Sequence, residues 1–172
     1  MMECLEAGGL EVVKSNERDR FNKSHSDEHY QPNQSLYELL PKEITSMGFP
    51  RQYDGKAIKV VALWTPYLAV HKYRVVFMKR NYEEIRQSYE AAFNKIVSTD
   101  LIEQRTTDSI ERFKNRKDVE SFQIFNYRDV LSSPKKYFDI LFNTGWPIDS
   151  NKAALKVLPK IRFKIENLTV GI

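Results

Sequence analysis

The stretch YRVVFMKRNYEEIRQSYEAAF, Tyr73 to Phe93, decides the fold. Its first six residues form a continuous β-branched and aromatic run, the pattern of a strand covered on both faces in a parallel sheet. Lys79-Arg80 ends the run, and a helix is expected to begin at once. Asn81 can serve as its N-cap, with Glu84 three residues on in a capping-box arrangement. Glu83 and Glu84 also suit the positive end of the helix dipole. Ile85, Tyr89, Ala92, Phe93 and Ile96 recur at helical spacing and mark the apolar face of a helix running to about Val97.

Outward from this unit, Ile58 to Leu63 (IKVVAL) reads as a second strand of the same type and Gln123 to Tyr127 as a third. Helices are expected over 1–7, 101–116, 134–142 and 149–158, with turns at Gly8-Gly9, Asp54-Gly55 and Gly145-Trp146-Pro147. Leu10 to Val13 reads as a short strand. LYELLPKEI, residues 36–44, reads as a helical stretch broken by Pro41. Residues 14–35 are rich in Asn, Ser, Asp and His and read as a long polar loop. Strands alternating with helices imply an α/β fold, in one domain over 1–172.

Composition narrows the class. The chain has 172 residues, 41% hydrophobic and 29% charged, which suits a globular domain and excludes a disordered or collagen-like chain. Cys4 is the only cysteine, so no internal disulfide can form and a reducing, cytoplasmic setting is expected. The longest apolar run, Val60 to Trp64, falls far short of the roughly 20 residues of a membrane span. Lys and Arg number 27 against 23 Asp and Glu, a formal charge of +4 that suits an anionic small ligand as well as nucleic acid.

Arg80 and Ser88 are the leading site candidates. In open α/β sheets ligands bind beyond the carboxyl ends of the strands, which is where Arg80 falls. Ser88 follows two turns into the helix, on or beside its sheet-facing side. The guanidinium and the hydroxyl can share one phosphate as charged fork and neutral donor. Equally, Arg80 can pair with a nearby acid and Ser88 can bond back to the carbonyl of Glu84.

Beyond this reading of the residues, Tyr73 to Tyr89 resembles the 3′-phosphate-binding motif of the sulfotransferase family: a hydrophobic strand, Arg followed by Asn, an acidic position, and Ser eight residues after the Arg. Met1 to Gly9 resembles the helix and turn after that family's phosphosulfate loop. Tyr137 to Asp149 resembles its late helix and turn. The resemblance implies a three-layer α/β/α sandwich of the P-loop nucleotide-binding type with a short parallel sheet. It implies 3′-phosphoadenosine 5′-phosphosulfate as donor, no metal, and Arg80 and Ser88 on the 3′-phosphate. The family's first strand and its Pro-Lys/Arg-Ser-Gly-Thr type loop are expected just before Met1. They are missing here, as is the family's late Gly-rich loop. Either the natural start lies upstream, or the chain is a diverged relative without sulfuryl transfer.

Further candidates follow. Transfer to a hydroxyl or amine needs a base near the acceptor, and His25, Glu28 and His29 in the polar loop are candidates beside a merely solvated loop. His25 and His29 at i, i+4 lack a third metal ligand. Lys59 interrupts an apolar strand, so its ammonium is expected at a rim or against an anion. The cations Lys72, Arg74, Lys79, Arg80 and Arg86 cluster locally, but the aromatics near them fall at core positions, and nucleic acid is not the expected partner. The alternative function is a non-catalytic binding or assembly module, with homodimerisation through an exposed sheet edge.

Overall fold

The computed structural model describes residues 1–15 and 37–157. The polar loop read over 14–35 lies outside them apart from Lys14 and Ser15. His25, Glu28 and His29 also lie outside the described residues.

The described residues are mixed α/β, about half of them helical, with a short two-stranded parallel sheet. In order come α1 (Met2–Ala7), α2 (Pro41–Ile44), 3-10 turns at Arg51–Tyr53 and Ala62–Tyr67, then β1 (Tyr73–Lys79). α3 (Tyr82–Phe93), α4 (Thr99–Asn115), β2 (Val119–Asn126), α5 (Tyr127–Ser132), α6 (Pro134–Asn143) and α7 (Ser150–Leu155) follow. No described helix is long and apolar enough to cross a membrane.

Parallel strands cannot be joined by a tight turn, so β1 and β2 are linked by the helices α3 and α4. Their register runs from Tyr73 opposite Val119 to Lys79 opposite Asn126, with an irregularity after Tyr73. Alternation along the strands sends side chains to two apolar clusters. Val76, Met78 and Phe125 join Leu5, Phe138, Leu141 and Ala153 of α1, α6 and α7. Val75, Phe77 and Phe122 join Leu39, Ile44, Leu68 and Phe113.

Helix ends follow local rules. Asn81, Ser98 and Asp149 accept hydrogen bonds from the first-turn N–H groups of α3, α4 and α7. α3 stops at Asn94, in the left-handed conformation at φ 50°, so Ile96 lies beyond the helix and is exposed. Pro41 opens α2 instead of breaking a helix, because the first helical position needs no N–H. α4 carries many charges yet is no merely solvated face, since Thr106, Ser109 and Phe113 are buried.

Ile58 to Leu63 departs most from expectation. Among the described residues, its first part and the residue before it make only single bridges, Ala57 to Val12 and Lys59 to Glu38. A 3-10 turn begins at Ala62, whose carbonyl accepts the hydroxyls of Thr65 and Ser109, and Pro66 prevents a ladder there. The strand-forming sequence is present, but no neighbouring strand is described on its other side.

The start of β2 is locked by a partly buried ion pair. Arg116 Nη2 lies 2.6 Å from Asp118 Oδ2, and the same guanidinium donates to the carbonyls of Leu68 and Ala69. It also covers the ring of Tyr73, whose phenol burial pushes up to about 12. Asp118 accepts the His71 N–H, and chiefly Arg116 holds its carboxyl well below the usual carboxylate range.

Because that carboxyl is depressed in the folded state, its stabilisation is complete above pH ~4 and is lost as pH falls through the folded value. Asp118→Asn is expected to destabilise by about 1–3 kcal/mol at neutral pH. The gap to the parent should narrow on acidification, as read by denaturant unfolding at several pH values. Phe138 is 0% exposed at the centre of the first cluster. Phe138→Ala should cost about 3–5 kcal/mol in the same assay.

Candidate anion-binding site

β1 delivers Arg80 to the carboxyl end of the sheet, and Asn81 turns the chain into α3 there. Asn81 Oδ1 accepts the N–H groups of Glu83 at 2.9 Å and Glu84 at 3.2 Å. The capping box is only half formed: Glu84 does not reach back to Asn81 but turns its carboxylate to arginines. Arg80 Nε donates to Glu84 Oε2 at 3.0 Å, and Arg128 donates to Oε1. Two cations thus share one carboxylate, leaving a net positive charge. Arg128 first and Arg80 second hold the Glu84 carboxyl below its usual range. The Arg80 guanidinium also lies over the Tyr127 ring, 5.4 Å from its centroid.

Arg80, Ser88 and Lys59 line one open cavity of about 1060 Å³. Ser88 is exposed and does not bond back to Glu84; its hydroxyl has no partner among the described residues. Lys59 is 3.8 Å from Glu38, with its ammonium part-exposed at the cavity, and its carbonyl accepts the Leu39 N–H. The local basic cluster is largely matched with acids. Lys72 and Arg74 face Glu120, Arg86 is held by Glu83 and Glu90, and Lys79 lies over the Tyr82 ring.

The arrangement can hold an anion. Arg80 is 42% exposed on its side chain, so its pair with Glu84 is screened by water and easily exchanged. Among the described residues no cluster of three or more His, Cys, Asp or Glu could hold a metal.

Several neighbours escaped sequence reading. Glu84 was legible as the i+4 partner of Arg80. Arg128, Tyr127 and Trp146 were not, because they reach the cavity region from far along the chain. The Trp146 Nε1–H is buried without an acceptor among the described residues. His71 pairs its ring with Asp54 at 2.5 Å beside the same cavity.

No family model, curated protein or solved structure matches the chain.

Glu84→Gln should strengthen inorganic phosphate binding at Arg80 several-fold, because removing the anion leaves two unpaired guanidiniums. Phosphate titration followed by shifts of the Arg80 Nε–H resonance checks this. A weakening would mean that Glu84 orients Arg80.

Proposed function

We propose that the chain is a sulfotransferase-like protein of the P-loop type, built on a three-layer α/β/α scaffold. The observation that carries this reading is that Arg80 and Ser88, eight residues apart, open onto one cavity beyond the end of a parallel strand. Apolar clusters on both faces of the β1–β2 pair support the layered scaffold.

In this reading the ligand is 3′-phosphoadenosine 5′-phosphosulfate. The Arg80 guanidinium grips its 3′-phosphate as a fork, and the unpartnered Ser88 hydroxyl donates beside it. Arg80 must first leave Glu84. An exposed pair contributes roughly 0–1 kcal/mol, whereas hydrogen bonds to a charged group contribute about 1.5–3 kcal/mol, so a phosphate dianion wins the exchange. Lys59 helps neutralise charge developing on the transferring group. The acceptor hydroxyl or amine attacks sulfur in line. The bond from sulfur to the 5′-phosphate oxygen breaks, and adenosine 3′,5′-bisphosphate leaves. His25, Glu28 or His29 takes the acceptor proton. The grip on the 5′ end is the part of the phosphate loop that the resemblance places just ahead of the first helix. The proposed setting is cytoplasmic.

A second reading, a non-catalytic binding module, is favoured by the outer edge of β1, which is unpaired among the described residues.

Calorimetric titration of adenosine 3′,5′-bisphosphate into the parent chain and into Arg80→Ala tests the first reading. Loss of the charged contact should weaken binding about 10- to 150-fold. Absence of binding to the parent, or equal binding by both, would remove the nucleotide reading.

A further inference from the structure

The 3-10 turn at Ala62–Tyr67 and the residues after it form an apolar ridge beside the C-terminal half of α4. Leu63, Tyr67 and Val70 are 43%, 57% and 86% exposed, and Pro66 and Ala69 beside them are exposed as well. Single exposed apolar residues need no explanation, but several on one short stretch do.

The ridge is fastened from below. The Thr65 and Ser109 hydroxyls donate to the Ala62 carbonyl, and the Arg116 guanidinium donates to the carbonyls of Leu68 and Ala69. Leu68 itself is buried. The chain is thus tied on both sides of Tyr67, and the side chains it turns outward are held there.

Unpaired cations flank the ridge. Pro66, Leu68 and Val70 line a shallow depression of about 350 Å³ together with Arg112, Lys117 and the Arg116–Asp118 pair. That pair is neutral, whereas Arg112 and Lys117 have no acidic partner among the described residues. Arg105 lies two turns before Arg112 on the same stripe of α4, and it too is unpaired among them. One acid, Asp108, falls between the two arginines, so the excess is positive. By contrast, Lys59, Lys72, Arg74 and Arg80 each have a carboxylate within 3.8 Å.

Two features choose the partner. Protruding apolar side chains suit a medium that yields around them, whereas a folded partner needs a matching hollow for each. Cations on flexible stems suit diffuse negative charge, because they reach headgroups while their apolar neighbours go deeper. Tyr67, with an apolar ring and a polar tip, belongs at that boundary.

We propose that this ridge is a peripheral membrane-contact surface. It seats Tyr67 and Val70 in the interfacial layer of an anionic bilayer, with Arg105, Arg112 and Lys117 at the lipid headgroups. So few anchors give weak, reversible attachment. The surface lies on side chains that the nucleotide reading does not use, and the Arg80→Ala titration tests that reading separately.

The full chain is mixed with phosphatidylcholine vesicles with and without about 30% phosphatidylserine, and the bound fraction is read by co-sedimentation. Binding is expected with the anionic vesicles only, and it should weaken as salt is raised. Arg112→Gln with Lys117→Gln should weaken it about 25-fold, at about fivefold per charge removed. Val70→Asn should weaken it about tenfold by taking the apolar contact away. That side chain is 86% exposed, so the fold does not depend on it. Lys136→Gln with Lys156→Gln removes the same charge from the α6 and α7 side, across the sheet from α4. This control should leave binding within about twofold. No binding to the anionic vesicles, or an equal loss in the control, overturns the proposal. Parent-like binding by Val70→Asn would mark a contact by charge alone, assign the surface to an acidic soluble partner, and overturn the lipid assignment.

Discussion

The parallel ladder between β1 and β2 is the constraint on which the rest of the structure depends. Parallel pairing forces a long crossover, and α3 and α4 provide it. The register also decides which side chains go where. With Val75 opposite Phe122 and Met78 opposite Phe125, alternation divides the apolar residues between two clusters on the two faces. A slip of one residue would exchange the faces and bury Arg74 with them. The register is pinned at its open end by Arg116 and Asp118, which tie the start of β2 to the turn before β1. Two strands alone are marginal in water, so the faces must be covered for the ladder to persist.

Position along that ladder also sets the electrostatics of Arg80. The strand ends one residue before it, so its side chain emerges where the sheet stops and α3 begins. The first-turn amides of α3 are already taken by Asn81. An anion at this corner therefore depends on side chains more than on the helix end. Glu84 and Tyr127 hold the guanidinium from two sides without burying it. The corner is pre-formed yet wet, a state in which one carboxylate can give way to a more highly charged group at small cost.

Sequence legibility follows the range of the physics involved. The N-cap at Asn81 and the turns at Gly9, Gly55 and Gly145, all at positive φ, are local choices, and they were readable. The eight-residue interval from Arg80 to Ser88 was readable for the same reason. Ladder membership is not local. Ile58 to Val61 has the composition of a strand, but a strand exists only with a neighbour, and the single bridges at Ala57 and Lys59 are all that is described. Glu84 shows the same limit within the site. Its helix position suggested a cap, and an arginine 44 residues away decided otherwise. Ser88 sits close enough to the apolar face by periodicity to suggest burial, yet it is exposed because α3 borders the open cavity instead of covering a complete sheet.

That openness has a physical consequence. The cavity of about 1060 Å³ beside β1 is open, so water can reach the outer peptide edge of the strand and satisfy it. Its walls are each tied elsewhere, one through the β1–β2 ladder and the other through the bonds of Ala57 and Lys59 to residues 11–13 and 39. Neither wall depends on the other for its backbone partners, so Arg80, Ser88 and Lys59 share a space that the fold holds open without their help.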